Sequence, residues 1–465
     1  MKVALVYPPS QELNLKGYPL GLAYLSASLK RRHKVDIYDY NGGEFKNSLR
    51  TFFNSIKQTR PDVVGVSFNS FNRWGAYKII QGIKKISRDI IVVLGGVHPS
   101  TMHSQMFEYF SDAVDFIIQS EGEEPFYQLC NALESGQECK NISGLVYSTG
   151  YRSFKANPVT AKVANLDDLA MPDYSYASGR IKDTGFAYLI TSRGCPVNCS
   201  FCSTSSFWGQ NVRMNSVQRV GEEVDYVKSL GAKRFFFYDD TFNLGIDRTI
   251  KLAEILKEKN IEYAISCRVR PVNEEMIARL VESGCKHITW GVETLSEKML
   301  KLIEKKITRE DVKNAFDICA KYSDKMSTGA FFCVGVAGET EETVNESIDY
   351  LNNNISSTHG PGASILYILP GTKVYREMIK NKEFDERVWV KTDSVYYYTK
   401  EHDISTLNKW RKAINHSGIR LPFNYKYFWD YASVEKKESA GPLKRGFRKN
   451  VKKLVRFINM LRNRY

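Results

Sequence analysis

Short apolar runs alternate with amphipathic stretches along the first 140 residues. Val3–Tyr7, Val35–Tyr38, Val63–Val66, Ile90–Leu94 and Phe116–Ile118 read as strands, and Gly21–Lys30, Lys46–Lys57, Ala76–Ile86 and Glu124–Leu133 as helices. Near-continuous apolar strands separated by helices predict a doubly wound parallel sheet covered on both faces. Ligands bind such sheets beyond the C-terminal strand ends. The loops there are Tyr7-Pro8-Pro9, Ser67–Ser70, Gly95–Pro99 and Ser120–Glu124. Paired glycines such as Gly95-Gly96 allow a large ligand close to the backbone, and they also serve ordinary tight turns.

Residues 141–183 read as a connector, with a hairpin at Tyr147–Tyr151 and a turn-rich stretch, Asn165–Tyr174. A second alternation then covers 184–384. Its strands are Ala187–Thr191, Arg234–Tyr238, Tyr263–Cys267, His287–Gly291, Gly329–Val334 and Ser364–Leu369. The helices Val217–Leu230, Arg248–Glu258, Glu274–Ser283, Asp311–Tyr322, Glu342–Leu351 and Lys373–Lys380 follow them in turn. Six β/α units predict a partial (β/α)6 barrel with its chemistry at the C-terminal strand ends. Residues 385–440 are aromatic-rich and read as a helical appendage, and Ser439–Pro442 as a hinge.

The chain has 465 residues, 43% apolar and 25% charged. These ordinary values exclude a disordered, collagen-like or repeat-dominated chain and allow two to four domains. No apolar run approaches the ~20 residues of a spanning helix. The start, MKVALVYPPSQ, lacks the long apolar region and cleavage site of a signal peptide, which predicts a cytoplasmic protein.

Charge changes the picture at one end. The net charge is +14, but residues 441–465 hold nine Lys/Arg and no acid. The remainder has 57 basic against 52 acidic residues. Val451, Leu454, Val455, Ile458 and Leu461 form an apolar stripe among these cations. That pattern is a basic amphipathic helix, which favours the anionic inner face of a membrane over a solvated or packed helix. A nucleic-acid contact is disfavoured, because no binding module is recognisable.

Nine cysteines, an odd number, argue against a disulfide framework. Three of them fall in Thr191-Ser-Arg-Gly-Cys195-Pro-Val-Asn-Cys199-Ser-Phe-Cys202, directly after the first strand of the second series. Three thiolates there can hold three irons of a [4Fe–4S] cluster, leaving one iron open. A structural zinc wants four ligands, and neither Cys267 nor His287 is placed to be the fourth. A buried structural trio is the third reading. Cys130, Cys139, Cys267, Cys285, Cys319 and Cys333 have no ligand-like spacing and read as core residues.

The pattern TSRGCPVNCSFC resembles the radical S-adenosylmethionine (radical SAM) superfamily. That resemblance implies Cys195, Cys199 and Cys202 as cluster ligands, with S-adenosylmethionine on the open iron and reductive cleavage to a 5′-deoxyadenosyl radical. It also implies cosubstrate contacts from Phe201, from Asp239 and Asp240 (amine), and from Arg268 (carboxylate). Gly291, Glu293 and Thr294 would face the ribose, and Gly335 and Gly338 the adenine. Taken singly, each is also an ordinary βα loop, with Thr340, for example, as a helix N-cap.

VALVYPPS, YPLGLAYLSASLK, VVGVSFNS, VVLGGVHPS and FIIQSEGEEPF resemble the cobalamin-binding domain found in one branch of that superfamily, as does LDDLAMPDYS in the connector. The resemblance reaches residue 385 and implies cobalamin contacts from Pro9, Gly21, Ser67, Gly95, Gly96, Gly122 and Glu123. The Asp-x-His-x-x-Gly of mutase-type domains is absent after the first strand, and His98 and His103 lie elsewhere. The expected cofactor is therefore base-off cobalamin with no histidine below the cobalt. The implied activity is cobalamin-dependent methylation of an unactivated carbon on a small or lipid-like substrate, fed by a flavodoxin- or ferredoxin-type electron donor. Cyclisation, oxidation or ring rearrangement is the alternative within the branch. A non-enzymatic iron–sulfur or corrinoid sensor is the alternative outside it.

Overall fold

The computed structural model describes residues 1–10, 17–160, 162–355, 361–393 and 401–418. Tyr396–Tyr398, the aromatic run from Phe423 to Tyr431, the Ser439–Pro442 hinge and the basic stripe of 441–465 lie outside the described residues.

The first sheet uses β1 (Lys2–Tyr7), β2 (Lys34–Asp39), β3 (Val63–Ser67), β4 (Ile91–Gly95), β5 (Phe116–Ile118), β6 (Leu145–Gly150) and β7 (Ser153–Ala156), ordered β2-β1-β3-β4-β5-β6-β7. Helices α1 (Leu20–Leu29), α2 (Phe45–Thr59), α3 (Arg73–Ile86), α4 (Val97–Phe110) and α5 (Glu123–Ser135) connect and cover it. Strands β1 to β5 pair in parallel. Along β1, Val3 and Leu5 join one core cluster and Ala4 and Val6 the other. The strand is therefore apolar at every position because it is buried on both faces.

Two features depart from the sequence reading. Helix α4 fills the interval after Gly95-Gly96, where no helix is predicted. The Tyr147–Tyr151 hairpin lies inside the expected connector, yet β6 pairs antiparallel with β5 and the sheet runs on to Ala156. The hairpin thereby covers an otherwise unpaired β5 edge.

After α6 (Ser178–Thr184) the second sheet begins with β8 (Phe186–Leu189). A short ladder follows: β9 (Ser192–Arg193) pairs antiparallel with β10 (Arg213–Met214), and α7 (Thr204–Trp208) lies between them. Then come α8 (Val217–Ser229), β11 (Arg234–Phe237), α9 (Ile246–Glu258), β12 (Glu262–Arg268), α10 (Glu274–Glu282) and β13 (Cys285–Glu293). The series continues with α11 (Glu297–Leu302), α12 (Arg309–Ala320), β14 (Ser327–Val334), α13 (Glu341–Asn354), β15 (Pro361–Ile365), α14 (Lys373–Lys380), α15 (Val388–Lys391) and α16 (Ile404–Asn415). Six parallel strands run β8-β11-β12-β13-β14-β15 and leave the sheet open between the first and last, as a partial barrel requires.

Strand β8 is an edge of that sheet, and the first domain supplies its missing partner. The Tyr18 hydroxyl accepts from the Tyr188 N–H at 3.0 Å and donates to the Tyr188 carbonyl at 3.2 Å. Both sheets belong to one compact unit. Among the described residues, no helix is long and apolar enough to cross a membrane.

Candidate functional site

The cysteine loop leaves the barrel after β8 and is pinned at several points. The β9–β10 ladder closes its base, and Gly194 takes the turn at φ +99°. The Ser200 N–H donates to the Ile303 carbonyl at 3.1 Å, and the Ser200 carbonyl accepts from the Val374 N–H at 3.1 Å. The Cys202 N–H donates to the Cys199 carbonyl at 3.1 Å. All three cysteines are free thiols; Cys199 is buried, while Cys195 and Cys202 are half-buried, as is Phe201 in the same turn.

Burial pushes the Cys199 thiol up to about 11, against the opposing pull of the Lys305 ammonium. Burial also raises Cys202, with Asp240 and Cys195 adding to the effect. A bound cation would favour the thiolate at Cys199 and Cys202 against this burial. The donor set of three thiols on one loop fits an iron cluster with an open position better than a four-ligand zinc.

Around that loop, the strand ends sort the expected residues. Asp239 is buried and accepts from the Thr191 N–H at 3.0 Å, the Thr191 hydroxyl at 2.9 Å and the Ser192 hydroxyl. Burial raises its carboxyl to about 6 despite these donors. Asp240 points the other way: it accepts from the Thr204 hydroxyl at 2.8 Å and the Gly194 N–H at 3.3 Å, and it lines the large cavity. Arg268 and Glu293 both act electrostatically on the Cys199 thiol. Arg268 Nη2 donates to the Lys305 carbonyl at 3.3 Å. A side chain on Gly291 would meet the Lys305 ammonium at 3.1 Å.

Lys305 was not foreseen. Its ammonium lies beside Cys199 and 2.8 Å from Glu293. Thr294 is turned away from the site, its hydroxyl 3.2 Å from Ser347 on α13. Gly335 donates its N–H to the Glu339 carboxylate, and Gly338, at φ +77°, donates to Glu401 at 2.9 Å. Thr340 is the N-cap of α13.

A cavity of about 440 Å³ opens between the C-terminal strand ends of the two sheets. Gly21, Ser67, Gly95, Gly96, Gly122 and Glu123 line it from the first sheet, and Tyr238, Asp240, Arg193 and Trp208 from the second. Pro9 does not line it: its carbonyl oxygen packs on α3, 2.3 Å from where a side chain on Gly75 would begin. Gly96 is obligatory, because its φ is +94° and a Cβ would stand 2.6 Å from the Phe68 carbonyl. A Cβ added at Gly21 would meet no other side chain or loop atom within 4 Å, which leaves room for a ligand. Neither histidine lines the cavity. His98 is buried between Ser70 (3.0 Å) and Tyr77 (3.1 Å), and burial lowers its imidazole to about 3. His103 is 3.2 Å from Gln119. The glycine-lined wall fits a broad flat ligand such as a corrin.

Residues 189–351 match the Radical SAM superfamily and residues 11–130 the B12 binding domain. The chain is 30% identical over 414 residues to an uncharacterized methyltransferase of Pyrococcus horikoshii, covering 85% of this chain and 87% of that one. The chain belongs to the cobalamin-binding radical SAM enzymes. This radical SAM enzyme is also 26% identical over 347 residues to the anaerobic magnesium-protoporphyrin IX monomethyl ester cyclase of Rubrivivax gelatinosus, covering 71% and 61% of the two chains. Its fold resembles that of the radical S-adenosylmethionine methyltransferase TsrM from Kitasatospora setae, with a TM-score of 0.69, 21% identity and coverage of 82% and 76%. Family membership sets aside the sensor reading and brings three cofactors: S-adenosylmethionine, a [4Fe–4S] cluster and cobalamin. It also implies a small-molecule substrate and an external electron donor.

Proposed function

We propose that this radical SAM enzyme methylates an unactivated carbon of its substrate, with cobalamin as the methyl carrier. One observation carries the reading: a single cavity is lined at once by Gly95-Gly96 of the first sheet and by Tyr238 and Asp240 of the barrel. Two cofactors and a substrate carbon could meet there without diffusion between sites. When bound, the cluster with S-adenosylmethionine supplies hydrogen abstraction, and cobalamin supplies the methyl group.

The chain's own residues hold and orient. Cys195, Cys199 and Cys202 would ligate the cluster, with Phe201 packed in the same turn. Arg268 would pair with the cosubstrate carboxylate. The amine would fall to Asp240, which lines the cavity, rather than to Asp239, which is buried and does not. Glu293, beside Gly291, would face the ribose, and Gly335 and Gly338 the adenine. Gly21, Ser67, Gly95, Gly96 and Gly122 would cradle cobalamin, with no histidine below the cobalt. Residues 441–465 would add weak affinity for an anionic leaflet, in keeping with a lipid-like substrate; liposome binding with and without them tests this.

The test is methyl-labelled S-adenosylmethionine with reconstituted enzyme, a flavodoxin- or ferredoxin-type donor and candidate substrates. Label on a product carbon supports methylation. Deoxyadenosine formation with an unlabelled, dehydrogenated or isomerised product would favour the second reading, cyclisation or oxidation, for which the Rubrivivax gelatinosus relative speaks.

A further inference from the structure

A buried knot of charge joins the two cofactor regions, and the roles above do not use it. Arg193 stands two residues before Cys195, and its side chain is 2% exposed. Nη1 donates to Glu121 Oε1 at 2.8 Å and Nη2 to Glu123 Oε1 at 2.6 Å. The other Glu121 oxygen accepts from Arg213 Nη1 at 2.7 Å. Arg213 is the residue opposite Arg193 in the β9–β10 ladder. Tyr24 of α1 and Trp208 of α7 cover the guanidinium, their ring centroids 4.9 and 5.2 Å from its carbon. Glu121 lies in the β5–α5 loop and Glu123 opens α5, and the two flank Gly122, which lines the cavity.

Two guanidinium groups and two carboxylates balance in charge, so no net charge is buried. Apolar residues of equal volume would stabilise such a place as well, so stability alone does not account for the knot. What a guanidinium adds is direction. Its rigid fork meets two separate carboxylates only when both loops stand in one relative position. A shift in the Glu121–Glu123 loop must then be met by Arg193, and Gly194 carries it on to Cys195.

We propose that Arg193 is a positioning residue that ties the corrinoid-facing loop, Ser120–Glu123, to the cluster-bearing loop, so that occupation of either site alters the other. The proposal rests on the two family cofactors being held at these two places.

The test is a thermodynamic cycle that does not rely on turnover. Hydroxocobalamin is titrated, by visible absorption, into the cluster-loaded full chain and into a cluster-free chain carrying Cys195→Ala, Cys199→Ala and Cys202→Ala. Linked sites give dissociation constants that differ by at least about fivefold. In an Arg193→Gln background, the same comparison should give a ratio of about one, with iron content retained in a folded chain whose thermal midpoint is lowered by the unpaired Glu123. If Arg193→Gln does not fold, Arg193→Lys keeps the charge but loses the fork, and should give a ratio below that of the native chain. An undiminished ratio in the folded variant overturns the proposal, and so does a ratio of one in the native chain. A native chain that takes up no iron or no cobalamin would instead sink the cofactor reading itself.

Discussion

Lys305 Nζ sits 2.8 Å from Glu293 Oε1, and both side chains are largely buried beside Cys199. Burial works against the charge of Lys305, but Glu293 and Cys199 more than offset it and keep the ammonium protonated. Glu293 adopts φ +70°, a conformation that costs a non-glycine residue of order 1–3 kcal/mol and is held by its surroundings. Lys305→Met should leave a buried carboxylate unpaired and cost about 3–5 kcal/mol in denaturant unfolding. Adding Glu293→Gln should recover part of that loss, measured as a double-mutant cycle.

Glu223 gives a pH signature. Burial raises its carboxyl to about 7, although the Tyr174 hydroxyl donates to it. The unfolded chain ionises this group near 4.5, so between those values the folded state binds more protons and its stability falls as pH rises. The stability that the neutral form contributes is fully present below about pH 4.5 and lost by about pH 7, a span worth about 3 kcal/mol. Glu223→Gln should therefore match the native protein at acid pH and exceed it at pH 8 by about that amount. Equal pH slopes for the two proteins would exclude an ionising Glu223.

Two kinds of glycine in the cavity should behave differently. Gly96→Ala meets a carbonyl and a left-handed backbone, and should lower stability by about 2 kcal/mol. Gly21 and Gly95 have no such conflict: around Gly95 the nearest atom to an added Cβ is the Ile118 oxygen at 3.9 Å. Gly21→Leu and Gly95→Ala should leave thermal unfolding within about 1 kcal/mol of the native value while weakening cobalamin uptake at least about tenfold.

Replacing any one of Cys195, Cys199 or Cys202 by alanine should lower iron from about four atoms per chain to well below that and abolish deoxyadenosine formation. Cys285→Ala and Cys319→Ala change buried thiols packed among core side chains, and should leave iron content unchanged while costing some stability. Iron analysis after anaerobic reconstitution separates the two groups.

The parallel strands of both sheets are legible because burial on two faces, or against helices and a lumen, leaves long apolar runs. Helix α4 is not. It buries His98, Gln105 and Met106 and kinks at Met102, so no single apolar stripe marks it. The hairpin turn is local and readable, but its pairing with β5 is a distant contact. The roles of Asp239 and Asp240 hide in strand parity. Phe235 and Phe237 pack toward the helices, Asp239 follows them on that buried side, and Tyr238 and Asp240 alternate into the cavity. Lys305 and the Arg193–Glu121–Glu123 knot are meetings of distant segments that no local pattern announces.

The Tyr18 hydroxyl that occupies the backbone of Tyr188 decides how the molecule can be divided. A barrel expressed without the first domain would offer a bare strand margin to any neighbouring molecule, and bare margins recruit strands from other copies. Such a fragment should precipitate or dimerise however sound its own interior.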